Sequence, residues 1–255
     1  MRLAALAAAA LLGLGQQAAA PHAVLRAEQR FPYTLNQGVA HVPGGWVVSG
    51  TMTLERVDDR LRVLVANRAP IPPAWRRRGF DHVGDIDVVG RYIYAPFEQP
   101  NYDLGYQATA RFDARTLRFV DARQLPQHQN SFVTVDPRTM IAYSMDEFGG
   151  NTLIRYSVRR GWQPLPPLMM SATLQNVQGA AIHGGYVYLS TSDLANDIYR
   201  VSIATGQVQP LGSAGHPGGE GEGIDATPLP SGAIHVMTVD RLLAPVWFGH
   251  FAIEP

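Results

Sequence analysis

The sequence predicts an all-β chain built from one strand–turn–strand unit repeated in tandem, and three observations carry that reading. The clearest unit runs from Phe80 to Glu98: a strand, a tight turn at Gly90, and a second strand that ends on a carboxylate. Five segments open alike, with a small residue ahead of a strand: Gln37-Gly38-Val39, Val83-Gly84-Asp85, Asn130-Ser131-Phe132, Gln178-Gly179-Ala180 and Glu222-Gly223-Ile224. Their small residues, at 38, 84, 131, 179 and 223, are spaced by 46, 47, 48 and 44. No charge run or low-complexity linker interrupts the series.

Each copy continues in one order. A turn follows, as at Pro43-Gly44-Gly45, Asp136-Pro137-Arg138 or His183-Gly184-Gly185, as a hairpin requires. A β-rich second strand comes next, such as Tyr92-Ile93-Tyr94 or Tyr186-Val187-Tyr188-Leu189. A third strand and a more polar fourth complete the unit. A period in the mid-forties is that of a four-stranded propeller blade. The last copy ends after three strands, while Val24 to Tyr33 is a strand with no copy of its own. Pairing it onto the last copy closes the ring and removes an open edge. The prediction is a five-bladed β-propeller over residues 24–255, one domain, closed by an N-terminal strand that completes the last blade. A β-sandwich of unusually regular strands is the competing architecture.

Residues 1–20 read as a signal peptide: Arg2, an Ala/Leu run from Leu3 to Leu14, and small residues at Ala18-Ala19-Ala20. The run is too short to span a bilayer, so the expectation is an exported protein, periplasmic or extracellular, without membrane insertion. It has no cysteine, so the core and strand ladders alone hold the fold. Lys+Arg and Asp+Glu balance at 21 each, which argues against nucleic acid as a partner. A monomer acting on a small molecule or glycan is expected.

These repeats resemble the β-propeller superfamily across residues 24–255, without a WD or kelch signature. The resemblance implies that inner strands begin, and second strands end, on the same face around a central channel. Openings then present Asn36, Gln37, His82, Gln129, Asn130, Asn176, Gln178, Glu220 and Glu222, while second-strand ends present Thr51, Glu98, Asp146, Glu147, Asp193 and Asp240. Asp85 and Asp225 stand where sister strands carry hydrophobes, and a buried carboxylate needs partners or a raised pKa. His82, Asp85 and Glu98 are the catalytic candidates, with structural ion pairs and backbone-satisfied histidine as the plain alternatives. His128 lies just before the third opening. The remaining histidines read as structural.

Glu220-Gly221-Glu222-Gly223-Ile224-Asp225 resembles the Glu-Gly-rich blade openings of calcium-dependent lactonases and phytase-like propeller hydrolases. That resemblance implies a channel cation, Ca²⁺ or another divalent ion, held by Glu222, Asn130, Gln178 and Gln37. Two departures stand out: those families have six blades, and Gln is a weaker, neutral ligand. Arg76 and Arg78 are candidates for an anionic substrate, with Asp146, Glu147, Asp193 and Glu220 as further substrate-binding candidates. Tyr102, Tyr106 and Phe148 offer stacking surfaces. No Gly-x-Ser-x-Gly, phosphate-binding Gly loop or His-Glu-x-x-His is present, so no organic cofactor is expected. Two functions follow: a divalent-metal-dependent hydrolase or lyase for a small or anionic substrate, or a non-catalytic module binding a glycan, small acid or partner protein on the same face.

Overall fold

The computed structural model describes residues 19–146, 149–240 and 245–255. The predicted signal peptide, save residues 19 and 20, and the candidates Glu147 and Phe148 lie outside the described residues. The closure strand β1 spans His22–Phe31. Blade 1 holds β2 (Gly38–Val42), β3 (Gly45–Gly50), β4 (Thr53–Val57) and β5 (Val63–Asn67). Blade 2 holds β6 (His82–Val83), β7 (Asp87–Val89), β8 (Tyr92–Glu98), β9 (Gln107–Asp113) and β10 (Phe119–Leu125), after a one-turn helix, α1 (Pro73–Arg76). Blade 3 is β11 (Thr134–Asp136), β12 (Ile141–Ser144), β13 (Gly149–Ser157) and β14 (Gln163–Gln175); blade 4 is β15 (Val177–His183), β16 (Tyr186–Thr191), β17 (Asp197–Ser202) and β18 (Val208–Ser213). Blade 5 orders as β1-β21-β20-β19, from β19 (Glu220–Asp225), β20 (Ile234–Val239) and β21 (Val246–Glu254).

The chain is therefore a five-bladed β-propeller closed as predicted. β1 pairs antiparallel with β21, from His22 opposite Glu254 to Phe31 opposite Val246, with a register shift at Arg26. The ladder covers what would otherwise be the open edge of β21.

Burial explains the strand compositions. The second strands β3 and β20 are buried at every position, because neighbouring blades cover both faces of each sheet. They therefore lack a strict polar–apolar alternation, with Trp46-Val47-Val48 consecutive in β3 and Val236-Met237 consecutive in β20. Outer strands such as β10 are largely exposed and polar. The cores lie between blades: Val47, Leu54, Val83, Ile93 and Phe97 fill one interface, and Val39, Trp46, Val48, Met237 and Phe248 fill another. At the β15–β16 turn, Gly184 and Gly185 both take positive φ, 58° and 86°, as a two-residue hairpin demands.

One inner strand departs from the repeat. In blade 2 the ladder breaks between β6 and β7, and Asp85 instead bridges to Phe132 of blade 3. The break places the Asp85 side chain on the propeller axis. Its carboxylate accepts backbone N–H groups from Ala180 at 2.9 Å, Val39 at 3.2 Å and Ile224 at 3.4 Å, one each from blades 4, 1 and 5. Burial pushes this carboxyl well above the usual range, and those N–H groups oppose the shift. The small repeat residues now have a physical reason. A Cβ on Gly223 would lie 2.6 Å from Asp85 Oδ1, and one on Gly38 would lie 2.6 Å from Asp85 Cα.

Two more inner-strand acids join blades. Asp87 accepts the Thr134 hydroxyl at 3.0 Å and the Val135 N–H at 2.7 Å, and burial pushes its carboxyl up to about 6. Asp225 accepts the His41 N–H at 3.0 Å, joining blade 5 to blade 1.

Candidate functional site at the channel mouth

Directly above the Asp85 plug, the inner-strand openings enclose a cavity of about 260 Å³ to which every blade contributes. Blade 1 supplies Gln37, and blade 2 supplies His82, Glu98 and Tyr102. Ser131, Gln178, Glu220 and Glu222 come from blades 3, 4 and 5. Serine hydroxyls that donate to backbone carbonyls of the next blade fix these openings. The Ser49 hydroxyl donates to Gly84 O at 2.8 Å, and the Ser190 hydroxyl donates to Glu222 O.

His82 and Glu98 are direct cross-strand partners on β6 and β8, a spacing that brings side chains on one sheet face together. Glu98 is only 5% exposed. Burial pushes its carboxyl up to about 7; the Asn130 N–H, donating at 2.8 Å, opposes the shift, and the negative charge of Asp81 adds to it. His82 is pulled the other way, because burial lowers its pKa against the raising effect of Asp81. Its Nε2 lies 2.6 Å from Gln37 Oε1. That contact puts the imidazole proton on Nε2 and leaves Nδ1 as the acceptor nitrogen. Tyr102 is pushed up to about 12 by burial, then by Glu98 and Asp81, so its hydroxyl stays protonated. The wall therefore holds a carboxyl poised near neutrality beside a neutral imidazole and a phenol donor.

Of the residues singled out from sequence, His82, Glu98, Tyr102, Gln37, Gln178, Glu220 and Glu222 meet at this cavity. Asp85 lies beneath it as the axial plug and does not line it. Asn130 is corrected as a cation ligand: its Nδ2 donates to Ala108 O at 2.7 Å, its Oδ1 accepts the Ser144 hydroxyl at 3.0 Å, and it is fully buried. Its contribution is to hold Glu98 through its backbone. The predicted four-ligand set is thus not assembled, since Gln37 Oε1 also faces His82. Among the described residues, no group of three or more His, Asp or Glu side chains converges to hold a metal.

Arg76 and Arg78 are corrected as well, because neither lines the cavity. Arg78 stacks over Trp75 at 4.3 Å and bonds to Gln124 on the outer strand β10, and Arg76 ends the exposed helix α1. Asp193 staples its own hairpin by accepting N–H groups of Ala195 and Asp197, each at 3.2 Å. Asp146 pairs with His128 at 3.3 Å beside a separate cavity of about 360 Å³ in blade 3. Ser131 is the lining residue not anticipated as part of a site; its signal was that it replaces glycine in an otherwise glycine register.

No protein-family model matches the chain, and no curated protein matches it significantly. Solved structures do resemble it. A glutaminyl cyclase from Myxococcus xanthus is 12% identical with a TM-score of 0.66, over 92% of this chain and 98% of that one. A PQQ-bound aldose sugar dehydrogenase from Streptomyces coelicolor is 11% identical with a TM-score of 0.54, over the same shares. A luciferin-regenerating enzyme is 11% identical with a TM-score of 0.54, over 84% of this chain and 77% of that one. At these identities the likeness is one of fold. This chain is a five-bladed propeller whose structural neighbours include enzymes, with a polar, carboxyl-rich cavity at one end of its axis.

Proposed function

We propose that the chain is an exported enzyme that transfers protons on a small substrate bearing an amine and an amide, bound in the channel mouth. The observation that carries this reading is Glu98: a carboxyl pushed up to about 7 at the cavity wall gives and takes a proton readily at neutral pH, as general acid–base catalysis requires. His82, neutral at the same pH, relays or accepts through Nδ1. Glu220 and Glu222 favour a cationic amine over the anionic substrate expected from Arg76 and Arg78. Gln37 and Gln178 offer carboxamides able to pair with a substrate amide. The Ala/Leu-rich N-terminus supports export.

A ring-closing aminoacyl transfer suits that set. Once the bound ammonium has given up one proton to solvent, the neutral amine attacks its own side-chain carboxamide carbon. A C–N bond forms, the carboxamide C–NH₂ bond breaks, and Glu98 passes the proton it takes from the attacking nitrogen to the departing NH₂, which leaves as ammonia. The neighbour named glutaminyl cyclase makes a peptide with an N-terminal glutaminyl residue the first substrate to try. Turnover is followed as ammonia release. Glu98→Gln should lower kcat about 100-fold or more, and the parent should show a kinetic pKa near 7 that the variant lacks. Equal turnover by parent and variant would remove Glu98 from the chemistry. A chain that turns over no glutaminyl peptide yet is stabilised by glycans would be a binding module.

A second reading keeps a divalent cation near Glu220, Glu222 and Gln178, because two carboxylates and an amide from adjacent blades line one cavity. Ca²⁺ should then raise the melting temperature, and Glu222→Gln should reduce that shift markedly. An undiminished shift takes Glu222 out of the site.

A further inference from the structure

All 21 basic side chains of this protein are arginines, so every fixed cation it presents is a planar guanidinium fork. On the face opposite the mouth, three of these forks meet at a cleft of about 280 Å³ between blades 1 and 2. Arg56 comes from β4, Arg91 from the β7–β8 turn and Arg115 from the β9–β10 turn. Val42, Val88 and Ala114 supply apolar lining.

Among the described residues lining the cleft, Asp113 is the only carboxylate, and it is already committed. It pairs with Arg91 at 2.9 Å and accepts the Thr116 N–H and hydroxyl at 3.0 and 2.9 Å. The Arg91 contact leads the effects that push its carboxyl down to about 2. Arg56 donates to Pro43 O at 3.2 Å. The Arg115 guanidinium is exposed and meets no partner among the described residues. Three cations against one carboxylate leave the cleft with two positive charges in excess, beside an apolar wall. The mouth has the opposite character, with Glu98, Glu220 and Glu222 in its lining. The two faces of the disc therefore present opposite charges in a protein with no net charge.

We propose that this cleft binds a small organic anion, a carboxylate or phosphate monoester carried on an apolar body. The guanidinium forks would take the anionic head in bidentate fashion, and the Val42–Val88 wall would cover the body. The full chain is titrated calorimetrically with phenyl phosphate and with phenylacetate, which separates the two head groups, and with inorganic phosphate and phenol as controls. One or both aryl anions should bind at one site, more tightly than inorganic phosphate, and phenol should not bind. Arg115→Glu, at an exposed position with no partner to lose, should weaken binding about tenfold or more, Arg56→Gln should weaken it less, and Glu98→Gln should leave it unchanged. Absence of saturable binding of either aryl anion, equal binding by Arg115→Glu, or loss of binding in Glu98→Gln would each overturn the proposal.

Discussion

Asp85→Ala should destabilise the propeller by roughly 4 kcal/mol, because three cross-blade N–H groups lose their acceptor at a buried axis and each such loss costs roughly 1–3 kcal/mol. Asp85 is 1% exposed, so water cannot readily take the carboxylate's place. Asp85→Asn is the sharper probe. The carboxylate accepts four N–H groups, those of Val39, Ala180 and Ile224 and its own neighbour Ile86 at 3.0 Å. An amide of the same shape would turn an NH₂ group toward backbone N–H donors and leave them without their acceptor. Asparagine should therefore still cost roughly 2 kcal/mol instead of being neutral. Urea unfolding of the mature protein measures both: midpoints should fall in the order parent, Asn, Ala, at similar m-values. A parent-like midpoint for the alanine variant would show that the ring does not depend on this plug. Gly223→Ala should also fall, through the clash its Cβ would make with Asp85 Oδ1.

The contrast between Asp85 and Glu98 shows what could be read from the chain and what could not. The blade period was legible because each inner strand opens on a small residue, and the structure shows why: Gly38 and Gly223 must let Asp85 approach. Asp85 was visible as an anomaly, a carboxylate at a hydrophobe's position. Its task was not, because its partners Val39, Ala180 and Ile224 lie 46, 95 and 139 residues away. Ring closure alone makes them neighbours. Glu98 and His82 were legible as ends of paired strands, and a two-stranded register suffices to bring them together. Asn130 misled for the same reason that Asp85 did. Its place at an opening follows from the repeat, but the direction of its amide depends on Ala108 O and Ser144, which no local pattern reveals. Arg78 turned outward because Trp75 and Gln124 hold it there, again a tertiary choice.

Acidification from neutral pH to about 4 should weaken the closing blade, and the cause is a pair of histidines that looked merely structural in the sequence. His235 Nε2–H donates to Thr227 O at 2.9 Å, so His235 Nδ1 is left to accept. The His250 Nδ1–H, 2.7 Å away, donates to it, and His250 Nε2 then accepts from Gln29 Nε2 at 3.0 Å. The chain of bonds crosses β20, β21 and the closure strand β1 and fixes both tautomers as neutral. Burial lowers both pKa values, that of His250 to about 4, with His235 adding a smaller effect there. Around the pair, Trp46 and His41 pack from blade 1, Asp225 faces it from β19, and Asp59 borders the same cavity. The Asp225 charge favours protonation of His235 and His41 disfavours it, so burial decides the direction. Because the folded pKa is depressed, the unfolded chain binds more protons between pH 6.5 and about 4, and stability is lost as pH falls through that window. Asp85, Glu98 and Asp87 work against this trend, since their raised values favour the folded state at the acid end. The comparison must therefore be made against a variant. His250→Phe should be less stable than the parent at pH 7.5, where it lacks two hydrogen bonds, and the gap should narrow steadily as pH falls to 4. Parallel stability curves for the two proteins across that range would mean that the histidine pair does not titrate with unfolding, and that the acid response of the ring lies elsewhere.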